Sequence, residues 1–288
     1  MFASRVRLEH TADCRVALIG LADDTGVRLN NGRPGAAAAP GAFRAALSRY
    51  GVAEPDGFEW PIVYDAGDVL RANPDRRDDA SLHETHRRVT EAVAAILELG
   101  MFPIAIGGGH DLTFPFVRAV TERRARRSLP PLAGLYFDAH LDVRPTVGSG
   151  MPFRRLIEHC RVGPLLVHGL NPLANAREML AWFTGHDGRV IDAATCADVR
   201  GIAPEVGDCF ASFDVDVVDA AFAPGVSALN PCGWTPELSS RWCEALGADQ
   251  RVQCFDLMEF NPTTDEGGRT ARLVAHLFLC FLRGFARR

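Results

Sequence analysis

The chain has 288 residues, 47% of them hydrophobic and 23% charged, with a formal net charge of -5. That balance suits one large globular α/β domain and gives no electrostatic reason to expect nucleic acid or an anionic membrane as partner. All 31 basic residues are arginine, which excludes a Schiff-base lysine and a phosphate-loop lysine.

In chain order, short apolar runs predict strands over 16–20, 61–64, 103–106, 134–138, 165–169, 189–191, 211–215 and 252–257. Amphipathic stretches predict helices over 40–50, 80–99, 114–127, 153–159, 175–183, 236–246 and 268–283. In the second of these, Leu82, Val89, Val93, Ile96 and Leu97 recur near a helical period, and Gly100 stops it. Strands that are apolar throughout and alternate with helices predict a mostly parallel sheet of roughly eight strands, covered on both faces: a three-layer α/β/α sandwich. The N-terminal residues Met1 to His10 lack a signal-peptide core, and no apolar run approaches transmembrane length. Eight cysteines, at 14, 160, 196, 209, 232, 243, 254 and 280, form no Cys-x-x-Cys pair. They read as free thiols of a cytoplasmic protein.

Three strand ends concentrate the chemistry. The run 133–138 leads into Asp138-Ala-His140-Leu-Asp142, and 210–214 leads into Asp214-Val-Asp216. The third, 101–106, leads into Gly107-Gly-Gly-His110-Asp111. In extended chain, residues two and four apart share a face, so each aspartate set is expected to point one way. A lone Asp-x-Asp at a strand end is most often a turn or cap. Three such segments in one chain instead predict a site at the carboxyl edge of the sheet, where open α/β sheets bind ligands. Two imidazoles (His110, His140) and four carboxylates (Asp138, Asp142, Asp214, Asp216) match two divalent ions, because one ion would leave an excess charge of two in a desolvated site. Oxygen and imidazole ligands without thiolate favour manganese-like ions over structural zinc, while Zn, Fe, Co and Ni stay open.

These segments resemble the ureohydrolase family of arginases, agmatinases and formimidoylglutamases over nearly the whole chain. The markers are Gly-Gly-Gly-His110-Asp111, Asp138-Ala-His140-Leu-Asp142, Ser212-Phe-Asp214-Val-Asp216-Val-Val-Asp219, Ala223-Pro-Gly225 and Asp256-Leu-Met-Glu259. The resemblance implies an arginase-like fold in a single domain over 1–288, with two Mn2+. One ion would take His110, Asp138, Asp142 and Asp214. The other would take Asp138, His140, Asp214 and Asp216, with a metal-bridging hydroxide as nucleophile. It also implies Asp142 as a proton shuttle to the leaving amine and Glu259 as the carboxylate that holds a cationic amidine or guanidinium.

Arginases and agmatinases usually carry a His after the Ser-Gly of the next loop. Here the loop reads Asp142-Val-Arg144-Pro through Ser149-Gly150-Met-Pro-Phe153-Arg154, without that His. It resembles formimidoylglutamases instead, as do Gly26-Val-Arg28-Leu-Asn-Asn-Gly32-Arg33-Pro-Gly35 and the stretch Ala223 to Ala228. The expected reaction is hydrolysis of N-formimidoyl-L-glutamate to L-glutamate and formamide, a step of histidine breakdown. That substrate carries two carboxylates. Arg144 is expected to fork one of them and Arg154 the other, with Ser149 beside them; Arg144→Ala should raise KM far more than it lowers kcat. Arg28 and Arg33 are further candidates, with a structural loop role as the rival reading. His83 and His86 read as a surface pair, and His168, at a strand end, is a candidate pocket residue. Two alternatives stay open: a guanidine hydrolase (agmatinase, guanidinobutyrase or arginase) releasing urea, and a metal-binding relative without turnover. The family commonly forms homo-oligomers, so a homo-oligomer is also open.

Overall fold

The computed structural model describes residues 1–53, 58–73, 75–192 and 206–288. Among them, nine strands form one parallel sheet: β1 (Val6–Arg7), β2 (Cys14–Ala22), β3 (Ile62–Leu70), β4 (Phe102–Gly107), β5 (Ala133–Phe137), β6 (Leu165–His168), β7 (Arg189–Ile191), β8 (Cys209–Asp214) and β9 (Val252–Met258). Their order is β1-β3-β2-β4-β9-β8-β5-β6-β7, and every ladder between them is parallel. Eight α-helices accompany them: α1 (Thr25–Leu29), α2 (Ala39–Leu47), α3 (Asp79–Glu98), α4 (Thr113–Arg126), α5 (Pro152–Cys160), α6 (Arg177–Thr184), α7 (Pro236–Ala248) and α8 (Arg269–Phe285). The eight expected strands and seven expected helices are all present. The sheet has one more strand than expected, because two-residue β1 is too short to show a period.

Strand periodicity divides the core in two. Val16 and Leu18 of β2, Ile104 of β4 and Phe255 of β9 pack on one face with Phe43 of α2, Trp242 of α7 and Phe278 of α8. Ala17, Ile19, Ala105 and Cys254 alternate with them and pack on the other face with Val93 of α3, Val117 of α4, Phe153 of α5 and Phe183 of α6. The three-layer arrangement follows. Burying both faces leaves only the strand ends free to carry chemistry.

None of the described helices is long and apolar enough to cross a membrane. The seven described cysteines are free thiols, five of them buried; Cys196 lies outside the described residues.

Candidate metal centre and active site

Five adjacent strands, β2, β4, β9, β8 and β5, end at one edge and deliver the site. The turn after β4 brings His110, β9 leads to Glu259, β8 ends at Asp214, and β5 leads to Asp138. The glycine run after β4 exists because the backbone of the neighbouring turn presses on it. A Cβ at Gly108 would sit 1.8 Å from the Asp23 carbonyl oxygen, and Gly109 N donates to that same oxygen at 3.0 Å.

All six expected metal ligands converge. His110 Nδ1 lies 3.2 Å from Asp138 Oδ2, 3.0 Å from Asp142 Oδ2 and 3.0 Å from Asp214 Oδ2. His140 Nδ1 lies 3.4 Å from Asp138 Oδ1 and 3.1 Å from Asp216 Oδ2. Two ligand groups result: His110, Asp138, Asp142 and Asp214; and Asp138, His140 and Asp216. Asp138 belongs to both.

Extended-chain alternation does not produce this convergence. The chain leaves β geometry at Asp138, and Asp142 has a left-handed φ of +47°. Asp214 caps a 3-10 turn over Val215–Val217. Each leading aspartate instead folds back on its own backbone: Asp138 Oδ1 accepts from His140 N at 2.6 Å, and Asp214 Oδ1 from Asp216 N at 2.8 Å. Both then present Oδ2 to His110.

The donor set fits divalent ions. His110 Nε2 donates to Ser212 Oγ at 3.0 Å, because that hydroxyl already gives its own proton to Asp256 Oδ1 at 2.6 Å. Thr113 Oγ1 donates to the other oxygen of Asp256 at 3.0 Å. With its proton on Nε2, His110 turns a bare Nδ1 lone pair toward three carboxylates. Nδ1 and Asp138 Oδ2 are both buried without a hydrogen-bond partner. Acceptors facing acceptors need a cation between them, and neighbouring ligands on an octahedral ion at about 2.1 Å sit roughly 3 Å apart. The observed spacings match that edge length.

Without cations, protons balance the charge. Burial alone would lower the pKa of His110, but Asp138, Asp142 and Asp214 raise it well above the ordinary value. Burial likewise opposes protonation of His140, yet Asp216 and Asp138 push it up to about 12. Burial, reinforced by neighbouring aspartates, raises Asp138 and Asp214. Metal binding must therefore displace at least the His140 proton, which is held at neutral pH. Titration with Mn2+ in buffers of different ionisation enthalpy should show net proton release, and affinity should fall by roughly tenfold per pH unit for each proton displaced as the pH drops from 8 to 6. A pH-independent affinity would contradict the metal centre.

Above the centre lies a cavity of about 210 Å³, lined by His140, Asp142, Asp214, Asp216 and Glu259 on its acidic side and by Asn30, Gly32, Arg144, Ser149, Ser227 and Ala228 elsewhere. Glu259 is buried, with φ +62°, and its Oε1 accepts from His110 N at 2.8 Å. Oε2 has no hydrogen-bond partner, and burial pushes the carboxyl up to about 8.

Other expected residues go elsewhere. Arg154 does not line the cavity. Its Nε donates to Glu158 Oε1 at 2.8 Å and its guanidinium lies 4.4 Å from the centre of the Trp182 ring, because α5 places Glu158 one turn away. Arg33 holds the Val226 and Ser227 carbonyls, a loop clamp, and Arg28 pairs with Asp24. His83 is exposed, but His86 is buried and bonds Asp111 Oδ2 at 2.8 Å, which corrects the surface-pair reading. His168 is buried in the core, stacked on Phe137 and packed against Trp242, with burial lowering its pKa to about 4. The motifs carry Ser212 and Asp256 without giving either a role, and Thr113 is not among them. The signal was a hydroxyl (Ser212) and a carboxylate (Asp256) inside otherwise apolar β8 and β9, while Thr113 opens α4.

Comparison with known proteins identifies the family. The model of the arginase family matches residues 14–283. The chain belongs to the arginase family. This arginase-family chain is 34% identical to a formimidoylglutamase of Rhodococcus jostii over 90% of its own length and 82% of the relative's. It is also 34% identical to a formimidoylglutamase of Geobacillus kaustophilus, over 97% and 87% of the two lengths. Among solved structures, a single-residue variant of Trypanosoma cruzi formiminoglutamase with Mn2+ superposes with a TM-score of 0.87 at 29% identity, covering 100% of this chain and 98% of that one. A proclavaminate amidino hydrolase from Streptomyces clavuligerus superposes at 0.81 with 29% identity, over 98% and 96% of the two chains.

Proposed function

We propose that this arginase-family chain is a manganese-dependent formimidoylglutamase, converting N-formimidoyl-L-glutamate and water to L-glutamate and formamide. The observation that carries the reading is one cavity with two opposed demands. An acidic centre and Glu259 suit a cationic amidine, while the Arg144 guanidinium, for which the described residues supply no carboxylate, suits an anionic tail. The formimidoylglutamase relatives support the same substrate class.

His110, Asp138, Asp142 and Asp214 would hold one ion, and Asp138, His140 and Asp216, with Asp214 as a second bridge, the other. When bound, such a pair supplies Lewis acidity and an activated water. The chain's own residues do the rest. Glu259 Oε2 accepts the amidinium N–H groups, its other oxygen fixed by the His110 amide. Ser212 and Asp256 lock the His110 ring, so the acidic centre cannot reorient during a turnover. Asp142 presents Oδ2 toward His110, and its second oxygen can carry a proton to the departing amine nitrogen. The C–N bond to that nitrogen breaks, leaving formamide and the glutamate amine.

The test is incubation with Mn2+ and, separately, N-formimidoyl-L-glutamate, agmatine, arginine and 4-guanidinobutyrate, with formamide and urea assayed independently. Formamide from the first alone is the expected result. Urea from any of the others would favour the guanidine-hydrolase reading, and no product from a metal-loaded protein the binding-only one.

A further inference from the structure

The wall opposite the acidic side of the cavity is built from donors. Asn30 Nδ2 donates one N–H to Ser149 Oγ at 3.0 Å. The second N–H of that amide and the hydroxyl proton of Ser149 have no acceptor among the described residues. The pair is held rigidly, because one carbonyl ties both backbones: Gly26 O accepts from Asn30 N at 3.1 Å and from Ser149 N at 2.9 Å. Close approach of the two loops requires glycine on either side of Ser149. A Cβ at Gly148 would meet Asn30 Oδ1 at 2.4 Å, and one at Gly150 would meet Arg144 Cδ at 3.0 Å and both Arg144 Nε and Asn30 Nδ2 at 3.1 Å. Arg33 braces the same loop from outside, donating to the Ser227 carbonyl at 2.9 Å.

Arg144 begins beside this pair, its Nε as near a Cβ at Gly150 (3.1 Å) as Asn30 Nδ2 is, and differs from the pair in depth and exposure. Ser149 abuts the His110 turn, since a Cβ at Gly109 would sit 3.6 Å from Ser149 Cβ. Arg144 is exposed at the rim, where a second cavity of about 380 Å³, lined also by Pro145 and Met179, adjoins the first. In N-formimidoyl-glutamate the amidine nitrogen is bonded to the carbon that carries the α-carboxylate. The γ-carboxylate lies two methylenes farther out.

We propose that Asn30 is a specificity-determining residue that seats the substrate's α-carboxylate together with Ser149, leaving the γ-carboxylate to Arg144. The inference rests on the formimidoylglutamase reading and divides its substrate between two anion sites. A neutral amide and a hydroxyl serve the inner site because a second guanidinium there would oppose cations at the acidic centre.

Three substrates separate the two seats: N-formimidoyl-L-glutamate, N-formimidoyl-glycine (α-carboxylate only) and 4-(formimidoylamino)butanoate (distal carboxylate only). With manganese-loaded protein, Asn30→Ala should raise KM about tenfold for the first two and leave the third unchanged, the size expected for lost hydrogen bonds to a charged group. Ser149→Ala should give the same pattern, which guards against a local collapse at position 30. Arg144→Ala should spare only the glycine derivative. If the wild type releases formamide from these substrates but the Asn30→Ala effect is equal across all three, or absent, the inner seat is overturned and the hydrolase reading stands. If the wild type releases formamide from none of them, the hydrolase reading fails and the seat with it.

Discussion

Asp138→Asn should cost this protein both its metal and its turnover. Asp138 belongs to both ligand groups, with Oδ2 toward His110 and Oδ1 toward His140. Removing its charge leaves three carboxylates against two dications in a site where Asp138 and His110 are fully buried. An uncompensated buried charge costs about 3–5 kcal/mol, so formamide release should fall by about a thousandfold. Bound manganese, measured by elemental analysis after gel filtration, should drop below one equivalent per chain. The metal-free variant should melt higher than the metal-free wild type, because the burial of a charged carboxylate is relieved, and with it the repulsion from Asp142 and Asp216. Full manganese retention would remove Asp138 from the centre.

Glu259→Gln should separate activity from stability, with effects of opposite sign. Gln keeps an acceptor for the His110 amide but loses the negative charge that meets the amidinium. A hydrogen bond to a charged group contributes about 1.5–3 kcal/mol, so kcat/KM should fall by roughly 10- to 100-fold while manganese content stays at the wild-type level. For stability, burial sets the direction: the folded-state pKa of Glu259 stands at about 8, above the ordinary 4.5. The native protein binds a proton there that the unfolded chain releases, so its stability declines as the pH rises from about 4.5 to about 8. The variant lacks that decline. Metal-free Glu259→Gln should melt with the wild type at pH 5 and above it at pH 8. Parallel melting curves at both pH values would show that the carboxyl is not desolvated as described.

The strands and the side chains that gather at their ends were legible because both are local. An apolar run that ends in several carboxylates can be read residue by residue, and so can the positions of His110 and Asp214 at the ends of their strands. How the aspartates meet was not legible. Alternation along an extended chain is the simplest rule, yet Asp138 and Asp214 turn back onto the amides of His140 and Asp216, and no periodicity records an Asx turn. His86 failed for a different reason. Its partner Asp111 lies 25 positions away, and α3 carries its neighbour His83 out to solvent. Arg154 was assigned by substrate charge, whereas one helical turn supplied Glu158 as a nearer partner. Asn30 could not be ranked at all, since its meaning comes from Ser149, 119 residues downstream.

The order of strands has a consequence for how this molecule is made. β9 comes last in chain order among the described strands and occupies the middle of the sheet, between β4 and β8. Until it emerges from the ribosome, β1 to β4 and β5 to β8 are two half-sheets, each with a raw apolar edge where the other should attach. The final insertion closes both edges at once and delivers Asp256 and Glu259 to the turns already waiting for them. A chain stopped before residue 252 thus loses the join between its halves, so ribosome-bound intermediates of that length should be its most aggregation-prone species and the natural clients of a holding chaperone.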